Sequence, residues 1–239
     1  MALPTFDEEE LLQLLAEFVK LESRFILNSP GYSLYLQPAI IGTSAFRGVH
    51  RPSSALLYVI ANHTGEFGDK KLGANYAPCI VPQQEAALRG FQQNLRLFGK
   101  EDYITEVGTM NLFIAIRDGK NNKELLTAPL DGTILNGVTR SSVLELSRER
   151  LVPKGWVVSE RKYTMSEFAQ AAQRGQLIEV FGTGTAAVIC PVRTISYKGM
   201  LVDCGLSIGE EAGEITCQMR RWIEDIQYCN IEHEWGYLA

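Results

Sequence analysis

The sequence has 239 residues, of which 46% are hydrophobic and 21% charged, the composition of an ordinary globular protein with one large domain or two smaller ones. Its 23 basic and 28 acidic residues give a net charge of -5, which argues against nucleic acid as the main partner because phosphate binding needs clustered Lys and Arg. No apolar run approaches the roughly 18 residues of a membrane span, so we predict no membrane partner. The acidic N-terminal segment favours an intracellular protein, cytoplasmic, or mitochondrial if a transit segment precedes it.

The five cysteines are scattered along the sequence, and no two of them form a C-x-x-C pair. Only three histidines are available to complement them. Because zinc sites gather four such ligands at characteristic spacings, we predict no metal site. Free thiols in a reducing compartment are the simpler interpretation.

The first third of the sequence predicts one helix followed by two strands. Asp7 begins an amphipathic helix that runs to about Ser23, because Glu10 follows this cap by three residues and leucines form one wide stripe. Residues 33–41 and 55–61 are the strands. The second, ALLYVIA, is apolar throughout, which predicts burial on both faces.

The polar stretch 62–69 is the best domain boundary, and it predicts a small domain over residues 1–67 and a larger one over 68–239. The larger domain mixes helices and strands, so the fold class is mixed α/β (α+β). Its predicted helices are 77–90, 138–151, 166–174 and 209–228. Its predicted strands are 104–117, 124–128, 156–163, 176–181, 187–191 and 195–197.

Two polar motifs beside apolar segments suggest chemistry. In KLGANY, residues 71–76, Lys71 precedes a glycine turn, where desolvation would lower its pKa and free it to form a Schiff base; the alternative is a solvated loop lysine. In TEVGTMN, residues 105–111, Glu106 begins an otherwise apolar strand. A buried carboxylate must be paired or functional, so Glu106 either holds a proton on a heteroaromatic nitrogen or pairs with an arginine.

Two further motifs suggest anion binding. LNGVTR, residues 135–140, opens a helix, where free N–H groups, a glycine and the Thr139 hydroxyl would cradle a phosphate; the alternative is an ordinary helix start. FGTGTAA, residues 181–187, follows a strand and would bind a second anion or form a tight turn. The four motifs together are what pyridoxal phosphate needs, although residue types alone do not single out that cofactor.

The wording and order of KLGANY, EVGTMN, LNGVTR and GTGTA closely resemble the branched-chain amino-acid aminotransferases, which are pyridoxal-phosphate enzymes of fold type IV. The resemblance covers nearly the whole chain. It implies a fold type IV large domain preceded by a remnant of the small α/β domain, and it implies pyridoxal 5'-phosphate as cofactor. The implied activity moves the amino group of Leu, Ile or Val to 2-oxoglutarate in a homodimer.

The resemblance also implies a role for each matched residue. Lys71 would bind the cofactor and move the catalytic proton, Tyr76 would lie beside the ring hydroxyl, and Glu106 would pair with the ring nitrogen. Thr109 would support the pyridine side, and Leu135 would pack on the ring.

The remaining matched positions would hold anions and substrate. The N–H groups of Val138 and Thr139 would bind the phosphate, while those of Thr185 and Ala186 would hold the phosphate or the substrate carboxylate region. Tyr35 would border the substrate pocket from the small domain.

The sequence departs from the family in three ways. Family members have a longer N-terminal stretch and a longer segment before the lysine, and they usually carry Arg where this chain has Gln37. Each departure removes an arginine expected near the bound anions. The alternative function is therefore a non-catalytic or partial homologue with weakened cofactor binding. Related fold type IV chemistry is a third reading, and a role in specialised amino-acid or secondary-metabolite biosynthesis is a variant of the first.

Overall fold

A computed structural model describes residues 3–25, 33–43, 51–64, 77–185 and 187–236. The chain forms two compact units, Met1–Lys70 with Tyr237–Ala239, and Lys71–Gly236. None of the helices within the described residues is both long and apolar enough to cross a membrane.

The first unit contains the predicted helix and strand pair. Helix α1 spans Glu8–Glu22, and the Asp7 side chain caps it by accepting a hydrogen bond from the Glu10 N–H at 3.0 Å. A 3-10 turn, Ser23–Phe25, follows. Strands β1, Ser33–Gly42, and β2, Ala55–Thr64, pair antiparallel along their whole length.

The prediction that β2 is buried on both faces is wrong. Leu56, Tyr58 and Ile60 are 52%, 38% and 47% exposed, whereas Leu57 and Val59 between them are half-buried. Successive side chains of a strand point to opposite faces, so within its own unit this sheet is covered on one face only. An unbroken apolar run in the sequence does not distinguish a strand buried on both faces from a strand buried on one.

The second unit mixes helices and strands as predicted. Its helices are α2 (Ala77–Leu88), α3 (Val138–Arg150), α4 (Met165–Gln173) and α5 (Glu214–Gln227). Its strands are β3 (Leu95–Phe98), β4 (Tyr103–Val107), β5 (Met110–Arg117), β6 (Lys123–Thr127), β7 (Trp156–Glu160), β8 (Leu177–Gly184), β9 (Val188–Val192), β10 (Thr194–Tyr197) and β11 (Met200–Asp203).

A seven-stranded sheet organises this unit. The strands β3 to β7 lie in sequence order, while β8 pairs with β5 and β9 pairs with β8. All of these pairs are antiparallel except β6–β7, which is parallel and has α3 in its connection. Strands β10 and β11 form a separate hairpin.

Three sequence predictions differ from this arrangement. The single strand predicted over 104–117 is a hairpin, because Gly108 takes a φ of +56° and turns the chain between β4 and β5. The terminal helix begins at Glu214 rather than at residue 209. The short strands β3 and β11 were not predicted, since four residues carry little periodic signal.

Each face of the sheet has its own core, and β5 contributes to both. Its Leu112 and Ile114 pack in one core with α4 and the β10–β11 hairpin, while Phe113 and Ala115 pack in the other with α3 and α5. Phe113 stacks on Phe181 of β8 with 5.4 Å between ring centroids. Side chains on both faces of β5 are therefore close-packed, which holds the residues at the ends of the strand in fixed positions.

Candidate active site

Glu106 lies near the end of β4, just before the Gly108 turn, rather than at the start of a strand as predicted. Its Oε1 accepts a hydrogen bond from the Leu135 N–H at 3.0 Å, and its Oε2 is 3.7 Å from Nη1 of Arg96 on β3. The Glu106 side chain keeps 17% of its surface exposed. The arginine pairing weighed in the sequence analysis is thus present, but it is loose enough to leave room for another partner.

Asn111, at the start of β5, is directly opposite Glu106 in the β4–β5 ladder. It is 5% exposed, and its Nδ2 donates a hydrogen bond to the Leu135 carbonyl at 2.8 Å. The N–H and the C=O of Leu135 are therefore held by two residues that face each other in one hairpin. Asn111 belongs to the TEVGTMN motif but had no predicted role, because the Gly108 turn that brings it opposite Glu106 was not predicted.

The segment held by this pair leads directly into α3. Gly137 is the N-cap, with extended backbone angles (φ -72°, ψ 136°), and no side chain caps the helix. The first helical hydrogen bond runs from the Ser141 N–H to the Gly137 carbonyl, so the N–H groups of the first turn have no partner in the helix. These groups begin at Val138 and Thr139, the residues predicted to bind phosphate.

The surroundings of this helix start are open and partly apolar. Leu135 is 74% exposed, Val138 is 81% exposed and Thr139 is half-buried. Two large apolar side chains beside a carboxylate and a row of N–H groups suit a flat ring that carries an anionic group at one end. Helix N-termini favour anions because the helix dipole places positive partial charge there.

Arg140, in the first turn of α3, is 1% exposed and ties the helix to the residues on which it packs. Its Nη2 donates to the Ala128 carbonyl at 2.8 Å and to Glu160 Oε2 at 2.7 Å, while Arg148 Nη2 reaches Glu160 Oε1 at 2.7 Å. The hydrogen bond from Arg140 lowers the pKa of Glu160. Arg140 Nε has no hydrogen-bond partner among the described residues.

The glycine- and threonine-rich motif was predicted to follow a strand, but most of it lies within β8. Thr183 and Gly184 pair with Ile189 and Val188 of β9. Glycine gives room on this strand, because a Cβ added at Gly182 or Gly184 would lie 3.1 Å from the Met110 side chain of β5. Only the turn after Gly184 remains for binding an anion. Thr185 in this turn is exposed.

Strand β8 still brings this motif to the others. Thr183 is directly opposite Asn111, on the other edge of β5 from Glu106. Its Oγ1 is buried and has no hydrogen-bond partner within the part of the chain that the structure describes. Three of the four predicted motifs therefore meet at the start of β5.

The other predicted residues are placed as follows. Thr109 is exposed in the β4–β5 turn, and Tyr35 is half-buried on β1 of the first unit. Lys71, Tyr76 and Ala186 lie outside the described residues. No group of three His, Cys, Asp or Glu side chains that could hold a metal occurs within the ranges described.

Comparison with known proteins gives a consistent result. The family model for amino-transferase class IV matches residues 1–195. The chain is 48% identical to the mitochondrial branched-chain-amino-acid aminotransferase of Schizosaccharomyces pombe, over 95% of this chain and 59% of that protein. It is 46% identical to the cytosolic branched-chain-amino-acid aminotransferase of Saccharomyces cerevisiae, over 98% of this chain and 69% of that protein. The chain thus spans only 59% and 69% of the length of these two relatives.

The fold agrees with these relatives. The crystal structure of the Escherichia coli branched-chain amino acid aminotransferase superposes with a TM-score of 0.71 at 24% identity, covering 99% of this chain and 77% of that one. This similarity confirms the predicted fold class, and the family match confirms the resemblance inferred from the motifs. The chain belongs to the class IV aminotransferase family, among the branched-chain-amino-acid aminotransferases.

Proposed function

We propose that this chain acts as a pyridoxal-phosphate-dependent branched-chain amino-acid aminotransferase, which transfers the amino group of Leu, Ile or Val to 2-oxoglutarate. The names of relatives that are 46% and 48% identical support this substrate class. The observation that carries the proposal is the convergence at Leu135: a carboxylate on one side of this residue, and an uncapped helix start two residues further along.

The residues present fit pyridoxal phosphate. The first-turn N–H groups of α3 at Val138 and Thr139 would bind the phosphate, together with Thr185 and Ala186, and the exposed Leu135 would cover the ring. Glu106 would face the ring nitrogen, and Tyr76 and Thr109 would support the ring edge. When bound, the cofactor supplies an electron-withdrawing ring that stabilises negative charge at the substrate Cα.

Each protein group then has a defined task. Glu106 keeps a proton on the ring nitrogen, because a neighbouring carboxylate favours the charged form of that base. Lys71 would bind the cofactor and would move a proton to and from the substrate Cα. The Thr185 turn would help to orient the amino acid or 2-oxo acid, and the role of Tyr35 in binding the substrate stays a prediction.

The organisation of the whole protein is also a proposal. Residues 1–67 would belong to the small domain and 68–239 to the large, cofactor-binding domain. The protein would act as an intracellular homodimer. Relatives named as cytosolic and mitochondrial support the intracellular compartment. The cytoplasm is the favoured compartment.

The second candidate function is a partial or non-catalytic homologue that binds the cofactor weakly. Its support is Gln37 in β1, which stands where the resemblance implies an arginine. A charge-assisted hydrogen bond lost at such a position costs about 1.5–3 kcal/mol.

Borohydride reduction in the presence of pyridoxal phosphate, followed by peptide mapping, separates the two candidates. A pyridoxyl label on Lys71 with measurable leucine–2-oxoglutarate turnover supports the aminotransferase. A label on Lys71 without turnover supports the second candidate. Lys71→Ala should abolish the label, whereas the matched control Lys70→Ala should keep it. A label on Lys70, or none at any cofactor concentration, contradicts both.

A further inference from the structure

We infer that Asn111 is a positioning residue that holds the start of α3 at a fixed place relative to Glu106, and that it thereby sets the affinity for the phosphate of the ligand. The identity of that ligand rests on the proposed function. The positioning itself rests on contacts of the chain alone.

The first of these contacts is the clamp on Leu135. Glu106 and Asn111 are cross-strand partners, and they bind the N–H and the C=O of the same residue at 3.0 and 2.8 Å. Cross-strand partners lie about 4.5–5.5 Å apart in a rigid ladder. The spacing between the Glu106 carboxylate and the segment entering α3 is therefore set by the hairpin, provided that Asn111 is present.

The second contact is the packing of Asn111 on Gly137. A Cβ added at Gly137 would overlap Asn111 Oδ1, so the glycine N-cap approaches the amide more closely than any other residue could. The backbone angles of Gly137 (φ -72°, ψ 136°) are open to all residues. Glycine is needed here for room, and the room is taken by Asn111.

The third observation extends the clamp to the glycine- and threonine-rich strand. Asn111 is directly opposite Thr183 as well as Glu106, because β5 pairs with β8 along its other edge. Asn111 is thus the one described residue that pairs or hydrogen-bonds with all three motifs of the site in this unit. Buried amides with satisfied hydrogen bonds specify a unique local arrangement.

The test compares Asn111→Ala with the parent chain in two measurements. The first is hydrogen exchange of the segment 133–141 without cofactor, which we expect to accelerate about tenfold when a buried hydrogen bond of this kind is lost. The second is the ratio of affinities for pyridoxal phosphate and pyridoxal, which we expect to fall about tenfold. A loss of general stability would weaken both ligands equally and leave the ratio unchanged.

Thr127→Val is the matched control. Thr127 is 1% exposed, and its Oγ1 donates a hydrogen bond to the Leu112 carbonyl of β5 at 2.7 Å, so this variant also loses one hydrogen bond between a buried side chain and a backbone carbonyl. We expect Thr127→Val to lower stability without changing either the exchange of 133–141 or the affinity ratio. An equal change in both variants would overturn the assignment.

Gly137→Ala approaches the same contact from the helix side and protects the test against a variant that fails to fold. Alone, it should reduce the affinity ratio because its Cβ displaces the Asn111 amide. Combined with Asn111→Ala, it should add less than threefold, since the space is then empty. Additive losses in this cycle would overturn the inference, as would unchanged exchange in Asn111→Ala.

These outcomes are distinct from failure of the proposed function. If the parent chain does not prefer pyridoxal phosphate to pyridoxal, the proposed phosphate site is wrong. The exchange of 133–141 in Asn111→Ala and Thr127→Val then still decides whether Asn111 positions the helix start.

Discussion

The N-termini of α3 and α5 share the same backbone geometry but differ in what binds their first-turn N–H groups. Both helices begin at a glycine N-cap with extended backbone, Gly137 and Gly213, and neither N-cap has a side chain that caps the helix. In both, a side chain from the central sheet fills the space where a Cβ would lie: Asn111 from β5 at Gly137, and Glu179 from β8 at Gly213.

Glu179 and Asn111 differ in whether they bind the first-turn N–H groups of the helix. Glu179 is 1% exposed and accepts hydrogen bonds from the Ile215 N–H at 2.6 Å, the Thr216 N–H at 2.9 Å and the Thr216 hydroxyl. Asn111 instead donates to Leu135, outside α3. The protein thus supplies its own anion to α5 and leaves the positive end of α3 open, which is why α3, of these two helices, suits a phosphate.

The largest expected effect comes from removing the internal anion of α5. Glu179→Ala leaves three buried donors without an acceptor, and we expect it to lower the free energy of unfolding by about 3 kcal/mol or more. Guanidinium unfolding measures this loss. Acetate should restore part of it by occupying the vacated space, and it should not stabilise the parent. A loss below about 1 kcal/mol would show that α5 does not depend on Glu179.

A smaller effect is expected at the buried base of α3. Arg140→Met removes the hydrogen bonds to Ala128 and Glu160, and we expect a loss of about 2 kcal/mol, since Glu160 is partly exposed and keeps Arg148 as a partner. Arg148→Met is the control, because this exposed partner of the same carboxylate should cost under about 0.5 kcal/mol. Equal losses, measured by urea unfolding, would mean that burial of Arg140 contributes nothing to anchoring α3.

Asn111→Asp makes the start of α3 more like that of α5. Its carboxylate would offer the helix an internal anion, so we expect pyridoxal phosphate to bind about threefold more weakly than to Asn111→Ala at low salt. High salt should bring the two variants together because it screens the added charge. If Asn111→Asp binds the cofactor as well as the parent, an open helix start is not what selects phosphate.

The smallest effect is the pH dependence contributed by Glu160. Because pairing with Arg140 lowers the pKa of Glu160 below its ordinary 4.5, its stabilising contribution is present above pH 4.5 and is lost as the pH falls through the lowered value. The urea midpoint of the parent should therefore decline more steeply below pH 4.5 than that of Glu160→Gln. Parallel curves would contradict this contribution.

One sequence pattern, a single glutamate in an apolar strand, occurs near both helix N-termini. It shows which features of the site can be predicted from sequence. Glu106 and Glu179 are each a lone acid in an apolar strand, and only the motif around Glu106 resembles a known family. The prediction that such a carboxylate must be paired or functional applies to both. Whether each carboxylate is paired or functional depends on its contacts, which are with Leu135 for Glu106 and with α5 for Glu179. These partners lie far along the chain and leave no local pattern.

Local signals otherwise served well. The Asp7 cap, the helix entered from Gly137 and the helix ending before Gly175 were all predictable, because each depends on neighbouring residues. The Gly108 turn was missed because apolar residues continue on both sides of it. Lys71, Tyr76 and Ala186 stay predictions, as do the roles of the other site residues.

The position of β5 has a consequence for the order in which the molecule assembles. The ladders from β5 to β4 and β6 join neighbouring segments, whereas Asn111 meets Thr183 only when β8 returns from beyond α4. Contacts between distant segments form late because closing the longer loop costs more entropy. We expect pulse-labelled exchange during refolding to protect the N–H groups of the β5–β4 and β5–β6 ladders before those of the β5–β8 ladder. Until β8 pairs with it, an apolar edge of β5 is open to other chains. Pairing of β8 therefore completes the site and also removes an edge at which the folding protein can aggregate.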